Sequence, residues 1–128
     1  MSYHFSKIVN LSFETAIERI TEELKKEGFG ILTQINIRET LKNKLNVDFR
    51  PYIILGACNP QFAYKALSAE DKIGTMLPCN VVVQQHDDGS IEITAVDPIA
   101  SMTAIKNDNL GTVAHEVADK LKRVIESV

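Results

Sequence analysis

The chain has 128 residues, 45% of them hydrophobic and 24% charged, enough apolar material for one buried core and too much for a disordered segment. Its net charge is -3, with eight basic against seven acidic residues up to position 64 and six against ten beyond it, so neither half offers the cationic surface that nucleic acid requires. No apolar run approaches the ~20 residues of a membrane-spanning helix, and Met1-Ser2-Tyr3-His4-Phe5 has no leader-like character; the expectation is a single domain over 1–128, cytoplasmic, with no membrane partner.

Tyr3, Phe5 and Val9 fall on odd positions, a period of two that predicts a half-buried strand over 3–9 with Lys7 as the exception. Ser12 then precedes Phe13, Ala16, Ile17, Ile20 and Leu24, and Lys25, Lys26 and Gly28 follow, the signature of a capped amphipathic helix ended by a glycine. Alternation from Gly30 to Asn36 predicts a second strand, and Ile37, Leu41 and Leu45 predict a short connecting helix. Tyr52 to Cys58 is apolar on both parities and predicts a central, well-buried strand. Asn59 and Pro60, favoured at N-cap and first helical positions, open a helix to about Ser68 whose stripe is Phe62, Ala63, Ala66 and Leu67.

Ile73 to Leu77 shows no period. Cys79 to His86 and Ile91 to Val96 predict two strands joined through Asp87-Asp88-Gly89-Ser90, a hairpin signal. Asp97-Pro98 ends the second of them, because proline gives no amide to a ladder, and Ile99 to Asn107 reads as irregular. A last helix, capped by Asp108 or Asn109, carries the stripe Leu110, Val113, Val117, Leu121 and Val124, with Lys120, Lys122 and Arg123 toward its end. The order is β-α-β-(short α)-β-α-β-β-α, an α+β chain.

Chemistry centres on two cysteines. Cys58 ends a strand immediately before a helix start, where free amides and the helix dipole favour a thiolate; the alternative is a small apolar filler. Cys79 follows Pro78 twenty-one residues later, and the contexts Cys58-Asn59-Pro60 and Pro78-Cys79-Asn80 mirror each other. Were their strands neighbours, the two thiols would meet at one end of the sheet, fit to form a reversible disulfide, bind a soft metal such as Cu(I) or zinc, or hold a thiol-reactive molecule. Met76 and Met102 are possible thioether ligands and otherwise core filler. His4, His86 and His115 read as isolated surface residues, and Asp97 as an acid or base, or more simply as a turn former. The phosphate-binding, zinc-protease and serine-hydrolase motifs are absent.

The segments Gly56-Ala57-Cys58-Asn59-Pro60, Leu77-Pro78-Cys79-Asn80-Val81-Val82-Val83 and Asp97-Pro98, in that order, resemble the family catalogued as domain of unknown function 302. The resemblance extends from the Phe13 helix to Met102, with the final helix in the family's usual place. It implies a two-layer fold, a curved, mainly antiparallel sheet packed against helices as in the TATA-binding-protein-like class, and a homodimer. The family's motif positions fall on Gly56, Cys58, Asn59, Pro60, Pro78, Cys79, Asn80, Asp97 and Pro98, and the family name carries no function with them. The functional expectation is a binding module for a soft metal or a thiol-reactive small molecule, in redox or sulfur handling. Cys58, Asn59, Cys79, Asn80 and Asp97 form its site, and Cys58, Cys79, Met76 and Met102 are its metal donors. The alternatives are a structural or interaction domain with inert cysteines and an enzyme with Cys58 as nucleophile.

Overall fold

The computed structural model describes residues 2–128. Its strands β1 (His4–Val9), β2 (Gly30–Asn36), β3 (Tyr52–Cys58), β4 (Cys79–Gln85) and β5 (Ile91–Val96) form one sheet in the order β1-β5-β4-β3-β2. Every neighbouring pair is antiparallel. The helices are α1 (Phe13–Lys26), α2 (Ile37–Leu45), α3 (Pro60–Ala69), α4 (Pro98–Ser101) and α5 (Asp108–Ser127), with a 3-10 helix over Asp71–Met76. The chain is α+β, as expected.

Helix α1 follows its sequence signals closely. The Thr15 amide donates to Ser12 Oγ at 3.1 Å, and at the other end the Gly28 and Phe29 amides donate to the carbonyls of Lys25 and Leu24 at 3.0 and 2.9 Å. That pair of bonds is a Schellman motif, and it requires the positive φ of 88° that Gly28 supplies. Phe29 is thereby delivered into the core beside Leu24.

The core lies between one face of the sheet and helices α1 and α5. Ala16, Ile20 and Leu24 from α1 meet Leu121, Val124 and Ile125 from α5 over Ile53, Leu55, Val81, Val83 and Ile93. Fully buried leucines and isoleucines of this kind each contribute about 1.5–3 kcal/mol. Lys7, the exception in the β1 pattern, sits on the core parity and survives there because its ammonium leaves the sheet. It donates to the carbonyls of Glu126 and Val128 at 3.0 and 2.7 Å, against the negative end of α5.

Several expectations change. Tyr3 lies outside β1 and is 70% exposed. Strand β3 is interior to the sheet but fully buried on one face only; Tyr52 and Ile54, on the other, are half-buried. The stripe of α2 buries nothing completely, and Leu45 is exposed. The aperiodic stretch before β4 is the 3-10 helix, and the irregular crossover begins with α4, because Asp97 caps it: the Ile99 amide donates to Asp97 Oδ1 at 3.0 Å. Helix α5 is capped by Asn107 rather than Asp108 or Asn109. Two of its basic residues are held by Glu27, at 3.0 Å from Arg123 Nη2 and 3.6 Å from Lys120 Nζ, instead of serving the last turn.

Candidate functional site

Antiparallel pairing brings the end of β3, the start of β4 and the start of β2 to one edge of the sheet, with Gly30 beside Cys58 and Ala57 beside Cys79. Helix α3 leaves from that edge and leans on the first half of α5. Behind it a second, smaller apolar cluster forms from Ala66, Ile73 and Leu110, with Leu77, Met102 and Ile105 packed around it. Between this cluster and the main core lies a cavity of about 320 Å³.

The residues around the cavity explain why it exists. Ala57 and Cys79 form its sheet side, Phe62, Ala63 and Ala66 its α3 side, and Val113, Ala114 and Val117 its α5 side. Facing alanines on two helices leave unfilled the volume that leucines would occupy. Met102, Leu77 and Pro98 also line it, as do the exposed side chains of Leu32 and Leu67.

Both cysteines border this space, and neither is in a disulfide. They are not equivalent. Ala57 and Cys79 are directly opposed, so Cys79 shares the core face, whereas Cys58 follows on the alternate parity with Gly56. Cys79 is 7% exposed; Cys58 is half-buried. Burial, and to a smaller degree the neighbouring charge of Cys58, pushes the Cys79 thiol up to about 11, so it stays protonated and unreactive at neutral pH. Only Cys58 has the access that chemistry needs.

Asn59 occupies the N-cap position of α3 without capping it by its side chain. Its Nδ2 instead donates to the Glu27 carbonyl at 3.2 Å, beneath Gly28, where an added Cβ would stand 2.9 Å from the same nitrogen. Gly56 is held bare in the same way: a Cβ there would run into Thr33 Oγ1 and lie 2.8 Å from Pro78 Cγ. Pro78 itself follows a cis peptide bond from Leu77. These contacts give the Gly-x-Cys-Asn-Pro and Leu-Pro-Cys-Asn segments a shared task, to lock the sheet edge against the α1 turn and the start of α3.

The remaining expected site residues separate. Asn80 is exposed opposite Gly56 and does not border the cavity, and Asp97 is occupied in capping α4. Met102 joins the cavity, but Met76 is 41% exposed and lies off it. Among the described residues no group of three or more His, Cys, Asp or Glu is placed to hold a metal. His86 is not isolated: its Nε2 lies 3.0 Å from Glu92 Oε1 across the hairpin. Sequence reasoning missed Phe29, Leu32 and Val113 as cavity residues. The signal it could have used is the pairing of a small-residue stripe on α3 with Ala114 on α5.

The family described as "Domain of unknown function DUF302" matches over residues 5–128. The chain belongs to the DUF302 family. Among solved structures, the uncharacterized conserved DUF302 protein from Bacillus stearothermophilus superposes with a TM-score of 0.92 at 32% identity, covering 99% of this chain and 98% of that one. No curated protein matches the chain. No helix among the described residues of this DUF302 domain is long and apolar enough to cross a membrane. The chemical content of its sheet edge is therefore an apolar cavity with one accessible and one buried thiol on its boundary.

Proposed function

We propose that this DUF302 domain is a binding module that takes a small apolar, thiol-reactive molecule into the cavity between α3, α5 and the sheet edge, with Cys58 as the contacting thiol. The observation that carries the reading is the cavity itself. At about 320 Å³ it lies within the size range of ligand pockets, about 300–1,000 Å³, and nearly all of its boundary is apolar. An unfilled space of that size costs stability, which a bound apolar molecule would return. A homodimer belongs to the same proposal, supported by Ile8 and Ile35, which stay exposed on the face of the sheet turned away from α1 and α5.

The test is alkylation of Cys58 by N-ethylmaleimide and N-hexylmaleimide, followed by intact mass and peptide mapping, with rates normalised to glutathione. Burying even part of the longer tail, at about 0.8 kcal/mol per methylene, should make the hexyl reagent react about tenfold faster. Equal normalised rates, or labelling that spares Cys58, would overturn the reading. A soft metal is the second reading, supported by Cys58, Cys79 and Met102 bordering one space. Stoichiometric copper or zinc in protein purified anaerobically would put it first.

A further inference from the structure

We infer that the molecule taken by this cavity is a single-chain amphiphile with an anionic head, its tail between α3 and α5 and its head at Lys65 and Lys120; this rests on the cavity being a binding site.

Among the described residues no side chain on the cavity boundary is free to satisfy a strongly polar group. The one side-chain amide on its boundary, that of Asn59, already donates to the Glu27 carbonyl, and thiols and thioethers are weak partners. A carboxylate or sulfate buried there would lose its hydration without compensation. Any polar head must therefore sit at the rim.

Neither Lys65 nor Lys120 borders the cavity, but both place positive charge on the ring of Phe62, a residue of its boundary. The Nζ atoms of Lys65 and Lys120 lie 5.5 and 5.9 Å from its ring centroid. Lys65 has no ion-pair partner among the described residues, although Asp108 and Glu116 share an adjacent surface groove with it. Lys120 is only loosely held by Glu27, at 3.6 Å, because Arg123 Nη2 takes the same carboxylate oxygen at 3.0 Å. Two ammonium groups beside one aromatic wall suit a single negative charge, while exposed Leu32 and Leu67 give the tail an apolar threshold. A volume near the lower end of the pocket range suits a medium-length chain better than a fused-ring ligand.

Titration calorimetry with decanoate, decanol and decyltrimethylammonium, each below its micellar concentration, tests the assignment on the whole chain. Decanoate should bind, and the Lys65→Met, Lys120→Met double variant should weaken it about fivefold or more in low salt while leaving decanol unchanged. Lys65→Arg, which keeps the charge on an exposed helix position, should retain most of the affinity. Unaltered decanoate affinity in the double variant, or tighter binding of the cationic probe, overturns the anionic head but leaves the cavity reading standing. Failure of all three probes to bind overturns the amphiphile, while the maleimide rates at Cys58 decide the cavity reading separately.

Discussion

Helix α5 serves two apolar clusters, and it fills them differently. Its second half places Leu121, Val124 and Ile125 against the sheet and α1, where large side chains from three elements interlock. Its first half places Leu110, Val113 and Ala114 toward α3, which answers with Ala63 and Ala66, and the space between them stays open. Both regions are apolar and both are built on regular helices. What separates them is side-chain volume at the facing positions, so the difference between filled core and open cavity is written in leucine against alanine and not in polarity.

The sharpest way to break this contrast is to cut into the filled side. Leu55 is 1% exposed in the main cluster, and Leu55→Ala should cost about 2–5 kcal/mol in urea unfolding, since tight surroundings cannot relax into the lost volume. A cost below about 1 kcal/mol would mean that the main core is as loose as the cavity region.

Cys79 belongs to the main cluster and also borders the cavity, so its titration reports which character prevails there. The folded state keeps the thiol protonated up to about 11, against an ordinary value of 9.0. The unfolded chain therefore binds fewer protons between these values, and stability falls as pH rises. The contribution is fully present below pH 9 and lost on approaching about pH 11, on the order of 2–3 kcal/mol in all. Denaturant unfolding from pH 8 to pH 11, compared with Cys79→Ala, measures it. Alkaline curves that coincide would show the thiol to be solvated from the cavity.

The smallest effect is the most discriminating. Ala16→Leu, in the filled core, should cost about 1–3 kcal/mol through overpacking, whereas Ala63→Leu, bordering the open space, should change stability by less than about 1 kcal/mol. Equal penalties in thermal or urea melts would contradict the contrast between the two clusters.

Much of the filled region was legible from the chain alone. The Ser12 cap, the Phe13 to Leu24 stripe and Gly28 predict α1 to within a residue, and the alternation of Ile91, Ile93 and Ala95 predicts the buried parity of β5. Strand β3 was harder: Ile54 and Tyr52 are apolar on a face that stays partly open, so hydrophobicity on both parities did not mean burial on both. The 3-10 helix and α4 carried no period because each is too short to repeat one, and the α4 signal was the Asp97 cap followed by Pro98. At the site, the strand that ends in Cys58 and the strand that begins with Cys79 are neighbours, and Cys79 pairs with the residue before Cys58. Strand alternation then sends their side chains to different parities, a consequence of a one-residue offset in register between Cys58 and the partner of Ala57. The cavity could not be read from any local pattern, because it depends on α3 and α5 presenting alanines to each other across more than 40 positions of sequence.

Helix α3 is pinned at both ends by asparagine side chains. Asn59 Nδ2 ties its start to the Glu27 carbonyl at 3.2 Å, and Asn107 Nδ2 ties its last residue, Ala69, by the carbonyl at 2.8 Å, while the oxygen of Asn107 receives the Asn109 amide at the head of α5. A panel fastened at both short edges can bow but cannot swing like a door. Entry of the proposed guest would then rely on side-chain rotation at Leu67 and Phe62, both on the cavity boundary, instead of a hinge motion of α3.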